Sequence, residues 1–160
     1  MLTSCNLMDN EIAVIPTNIA GMGDSLVVLQ LRNNQLQVLP SCLSGLTGLK
    51  VLDVSNNHLR TLEPLSLPLL ADLNLAQNAL AEMPNLVGLK SLSRLVVSDN
   101  SLTRLPASLG QMPSLKQLVL DRNALTELPA FGKKTQRGIY SLFLALCHLF
   151  VVSRSLSLIL

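Results

Sequence analysis

A chain of 160 residues is about the size of one domain, and a formal net charge of +2 is too small to point to nucleic acid or another polyanion. Aliphatic residues dominate, Trp is absent, and the aromatic residues are only Phe131, Tyr140, Phe143 and Phe150, too few rings to fill a compact core in the ordinary way. Cys5, Cys42 and Cys147 are odd in number and far apart, a pattern that argues against a disulfide framework or a zinc site and favours a reducing compartment.

The first residues, Met1 to Leu7, have neither the basic n-region nor the apolar run of a signal peptide, and no Asn-X-Ser/Thr acceptor occurs in the chain. They enter directly into the first copy of a phrase, L-x-x-L-x-L-x-x-N-x-L-x-x-L-P, that recurs six times. In this copy Cys5 fills a leucine slot and Asn10 supplies the asparagine. The second copy, Leu26-Leu29-Leu31-Asn34-Leu36-Leu39-Pro40, is among the best. Its L-x-L alternation is that of a strand, with Leu29 and Leu31 pointing into a core and Val28, Gln30 and Arg32 to the opposite face. The following Pro40-Ser41-Cys42-Leu43-Ser44-Gly45-Leu46 spaces apolar residues about every third position, which predicts a short helix or 3₁₀ turn against the back of the sheet.

The third copy, around Asn57, leads into Leu62-Glu63-Pro64-Leu65-Ser66-Leu67-Pro68, shortened and proline-rich, and an extended back is expected there. The fourth carries Asn78 and has Met83 before Pro84. The fifth carries Asn100 and returns to the helical spacing over Pro106-Ala107-Ser108-Leu109-Gly110-Gln111-Met112. The sixth, Leu115-Leu118-Leu120-Asn123-Leu125-Leu128-Pro129, is again a full match. Successive asparagines lie 24, 23, 21, 22 and 23 residues apart.

One such unit cannot bury its own leucines, but stacked units bury them against each other, so the predicted fold is an α/β solenoid over residues 1–130. A parallel sheet lines its concave side, and short helical or extended segments form its convex side. The asparagine after each strand has a short amide able to bond backbone groups left unpaired by the bend. Asn10, Asn34, Asn57, Asn78, Asn100 and Asn123 are therefore expected to form a buried structural ladder. The inner members are expected to matter more than Asn10 and Asn123, because an inner coil has two neighbours.

The phrase with Leu-Pro after the second leucine resembles intracellular leucine-rich-repeat proteins of the Ras-suppressor and Scribble/Erbin type over residues 2 to 130. That resemblance implies a horseshoe segment and a scaffold or adaptor role in signalling. Cys5, Met83 and the register shift at Glu63-Pro64 depart from the pattern softly.

If the concave face binds a partner, the slot between the strand leucines offers Asn6, Gln30, Asp53, Asn74, Val96 and Val119. Two positions earlier come Ser4, Val28, Val51, Asp72, Arg94 and Gln117, and two later Met8, Arg32, Ser55, Ala76, Ser98 and Asp121. Gln30, Arg32, Asp53, Asp72, Asn74, Arg94, Val96, Val119 and Asp121 are the partner-binding residues this reading selects. Mixed charge and few rings suit a protein partner of moderate affinity. Catalysis is not expected. His58 sits on a turn and His148 in an apolar run, Asp53 and Asp72 occupy different slots, and no glycine-rich loop ends in Gly-Lys-Ser/Thr. Cys42 reads as packing, and no cofactor or metal is implied.

After Pro129 the phrase stops. Residues up to Gly132 carry eight basic against ten acidic side chains, whereas the remainder adds Lys133, Lys134, Arg137 and Arg154 and no acid. Residues 131–160 thus form a basic and then hydrophobic tail. Three readings stay open for it: a membrane anchor through residues 139–160 with its basic end in the cytoplasm, a cap over the last unit, or the product of an alternative exon end. The abrupt start and this change of pattern raise the expectation of a fragment or short isoform of a longer scaffold. The predicted function is a non-catalytic, cytoplasmic protein-binding module; the alternative is a tail-anchored protein presenting its repeats to the cytosol.

Overall fold

The L-x-L alternation of each unit becomes a three-residue strand in the computed structural model, which describes residues 1–129. These strands are β1 (Ser4–Asn6), β2 (Val28–Gln30), β3 (Val51–Asp53), β4 (Asp72–Asn74), β5 (Arg94–Val96) and β6 (Gln117–Val119). They form one parallel sheet in chain order. The register is uniform: Cys5, Leu29, Leu52, Leu73, Leu95 and Leu118 are successive partners, so each strand's central residue faces the same side. A slip of one residue would turn that row outward, which is why the alternation fixes the pairing.

The core is a set of leucine columns running along the stack. Leu29, Leu52, Leu73, Leu95 and Leu118 form one, Leu26, Leu49, Leu70, Leu92 and Leu115 another, and Leu36, Leu59, Leu80 and Leu102 a third, all buried. Each contributes about 1.5–3 kcal/mol by leaving water. Cys5, at the head of the first column, is only half-buried.

The convex side follows unit length. Short 3₁₀ helices at Thr17–Met22, Ser41–Gly45 and Ala107–Gln111 occupy the first, second and fifth coils, where asparagines are 24, 23 and 23 residues apart. Each follows a proline whose fixed φ is already helix-compatible. The third coil lacks one, as its prolines predict. The fourth also lacks one, which its sequence had not announced. These two coils span 21 and 22 residues, too few to return to the sheet and still wind the extra turn. In the fourth, Asn85 Oδ1 takes the amide of Val87 at 3.0 Å, favouring a local turn over a helix.

At two glycines the coils approach closely against a backbone carbonyl. A Cβ on Gly48 would lie 2.0 Å from the Asp24 carbonyl oxygen, and one on Gly88 2.3 Å from that of Leu65. The readings made for residues 131–160, including Cys147, His148 and a membrane segment at 139–160, lie outside the described residues. Among the described residues no helix is long and apolar enough to cross a membrane.

Candidate partner-binding face

Between and beyond the inward leucines, the sheet aligns outward side chains in straight rows. Ser4, Val28, Val51, Asp72, Arg94 and Gln117 are successive partners, as are Asn6, Gln30, Asp53, Asn74, Val96 and Val119. Arg32, Ser55, Ala76, Ser98 and Asp121 come just after the strands. Of the selected residues, Arg32 is exposed, Val96 is buried, and Gln30, Asp53, Asp72, Asn74, Arg94, Val119 and Asp121 are half-buried. Seven of the nine thus lie on the strands of one sheet and Arg32 and Asp121 just beyond strand ends, Val96 contributing least accessible surface.

Several of these side chains already have partners. Arg94 Nη1 donates to both carboxylate oxygens of Asp72, at 3.0 and 3.3 Å, and its Nε to Gln117 Oε1 at 3.2 Å, tying three coils together. Asp121 accepts an ion pair from Arg122 at 3.2 Å. Asp53 Oδ1 accepts from the amide and hydroxyl of Ser55 at 2.9 and 2.6 Å. Asn74 Oδ1 accepts the Ala76 amide at 3.2 Å, and Asn6 Oδ1 the Met8 amide at 3.0 Å. A short Asn or Asp at the end of a strand thus caps the next turn, a role the sequence reading missed although the residue types at that slot signal it. Asp53 and Asp72 do not face each other: Asp53 lies opposite Asn74, and Asp72 opposite Val51. His58 is exposed on its turn.

Beneath this face runs the asparagine ladder. Asn57 Nδ2 donates to the carbonyls of Val54 and Ser55 in its own turn and to Leu31 in the preceding coil, while its Oδ1 accepts the Leu36 amide. Asn34, Asn78, Asn100 and Asn123 repeat the pattern, reaching back to Leu7, Val54, Leu75 and Val97. The Asn10 side-chain amide bonds only Leu7 and Met8 of its own turn. Only Asn34 and Asn57 are buried; Asn10 is exposed and the other three are half-buried, so the expectation of a uniformly buried ladder is corrected. For Asn10 the physical reason is the ladder's direction. Each amide grips the coil before it, and Asn10 has none in the described chain.

A second polar row, not singled out from the sequence, edges the face. The residue before each ladder asparagine is left-handed: Asp9, Asn33, Asn56, Gln77, Asp99 and Arg122 have φ between 52° and 59°. Asn33 Nδ2 donates to Asp9 Oδ1 and Asn56 Nδ2 to Asn33 Oδ1, both at 2.8 Å. At the far end Arg122 pairs with Asp99 through both Nε and Nη2. The hydrogen bond from Arg122, with its positive charge, holds the Asp99 carboxyl below the usual carboxylate range, and the pairing raises the guanidinium's own pKa further.

Comparison with known proteins agrees with this architecture. A family profile described as "Leucine rich repeat" matches residues 1–59. Fibromodulin of Sus scrofa is 35% identical over 105 residues, covering 64% of this chain and 71% of fibromodulin. The solved structure of Leptospira interrogans LRR protein LIC12759 has a TM-score of 0.73 at 34% identity, covering 80% of this chain and 33% of that one. The plant peptide hormone receptor RGFR1, solved in complex with RGF2, has a TM-score of 0.65 at 27% identity, over 78% of this chain and 20% of the receptor. Two further curated relatives are far longer, and the chain spans only 3% and 6% of their length.

Proposed function

The chain belongs to the leucine-rich-repeat family, and from that premise we propose that it is a non-catalytic adaptor whose concave face binds a protein partner. The observation that carries this reading is the unbroken face itself: six strands in uniform register hold rows of polar and small apolar side chains outward over a rigid leucine core. A curved solenoid sheet is the surface such proteins use for recognition. RGFR1, solved with the partner RGF2, is a similar stack, which supports a peptide or protein as the ligand class. A non-catalytic role is supported by the use of the acids. Asp72 is paired with Arg94, and Oδ1 of Asp53 is held by Ser55.

The Leu-Pro ending of the units supports the Ras-suppressor and Scribble/Erbin subtype, and with it a scaffold role in cytoplasmic signalling. Pull-down from cytosol with the wild-type chain and with R32E, D53K and R94E tests the assignment. A partner held by the wild type is expected to be lost from at least one charge reversal. Equal capture by all three would remove the concave face as the binding surface.

A further inference from the structure

Charge on the concave face is satisfied unevenly along the stack. Toward the C-terminal coils the ions are already paired, Asp72 with Arg94, and Asp99 and Asp121 sharing the one cation of Arg122. A partner charge arriving there competes with pairs already made at the surface, which reduces its net gain. In the second and third coils Arg32 and Asp53 form no ion pair among the described residues. Asp53 is half-buried and oriented in advance, because Ser55 holds its Oδ1 twice, while no described residue donates to Oδ2. Arg32 is exposed.

Their spacing has a counterpart in an extended peptide. Gln30 lies opposite Asp53, and Arg32 stands two residues beyond Gln30, so the two Cα atoms are about 8 Å apart by ordinary strand dimensions. Side chains two residues apart on an extended peptide share a face at about 7 Å. Val28 and Val51 are neighbours in the row beside Gln30 and Asp53, an apolar bed for the aliphatic stem of a basic side chain.

We propose that the concave face recognises an extended peptide segment carrying an acidic and a basic side chain two residues apart, the acid on Arg32 and the base on Asp53. This deepens the concave-face reading above and rests on it. The C-terminal coils then supply the neutral contacts, through Val119 and the edge of Val96.

The test is selection of a phage-displayed random dodecapeptide library on the immobilised full chain, followed by fluorescence anisotropy with the selected synthetic peptides. Enriched sequences are expected to contain Asp or Glu two residues from Lys or Arg. R32A and D53N should each weaken such a peptide on the order of fivefold to tenfold. In double-mutant cycles, neutralising the peptide's acid should cost nothing further in R32A, and neutralising its base nothing further in D53N. Both variants keep the fold, since Arg32 is exposed and the amide introduced by D53N retains the oxygen that Ser55 bonds; an unchanged thermal midpoint verifies this. Enrichment without the charged pair, additive cycles, or no enrichment at all would overturn the proposal. Peptides that ignore Arg32 and Asp53 but are lost on V119K would leave the concave face standing without its charge code. Peptides indifferent to all three substitutions would remove the concave face as well.

Discussion

Gln77 and Arg122 occupy left-handed backbone positions that Asp and Asn fill in the other four coils. A side chain with a tetrahedral Cγ gains nothing from local hydrogen bonding there and bears the steric cost of that region, whereas Asn tolerates it. Gln77→Asn is therefore expected to stabilise the chain by up to about 1 kcal/mol, read as a higher denaturant midpoint. It would also place a short amide between Asn56 and Asp99, joining two halves of the polar edge row. Asp99 carries a separate expectation. Its carboxyl titrates lower in the folded chain than when unfolded, so its stabilisation is present above the unfolded value of about 4 and is lost as pH falls through the folded value. Asp99→Asn should make unfolding less sensitive to pH below about 4. An unchanged acid limb in pH-dependent melts would contradict the role of the Arg122 pair. The Asp or Asn at four of these six positions is a trace of left-handed backbone that the sequence does carry, whereas the Asp99–Arg122 pair links positions 23 residues apart and leaves no local signal.

At the scale of elements, the strands were legible because their two-residue alternation repeats six times in one register. The 3₁₀ helices were only partly so: apolar spacing of about three marked Ser41–Gly45 and Ala107–Gln111, but unit length decided that the fourth coil has no room for one. The glycines at the coil contacts obey the same geometry. Gly48→Ala and Gly88→Ala drive a methyl into a neighbouring backbone carbonyl, whereas Gly21→Ala meets open space. The first two are expected to cost about 1–3 kcal/mol by overpacking, and Gly21→Ala to be close to neutral. Thermal midpoints of the three variants compare them directly. Equal effects would mean that the coils can move apart at little cost.

For the whole molecule, the ladder makes the stack directional. The sequence pattern placed all six asparagines but suggested that both terminal ones matter least; in the structure Asn123 keeps the full set of bonds to the coil before it, and only Asn10 lacks them. Asn57→Ala leaves buried carbonyls and the Leu36 amide unsatisfied, an expected loss of about 1–3 kcal/mol. Asn123→Ala should cost less only as far as water reaches its half-buried site, and Asn10→Ala least of all. Denaturant midpoints in that order support a one-way ladder, while matching losses at Asn10 and Asn123 would support a symmetric one. The sequence could not show this direction, since the repeat reads the same whichever neighbour its amide chooses.

That direction bears on how the chain is made. A ribosome releases residues from the N-terminus onward, and Asn57 finds the Leu31 carbonyl and the Leu36 amide, 26 and 21 residues upstream, already synthesised. Each new coil can lock onto a finished one as soon as its own asparagine emerges, with no need to wait for later coils. The ladder bonds of such a coil therefore depend on no residue that follows its asparagine in the chain.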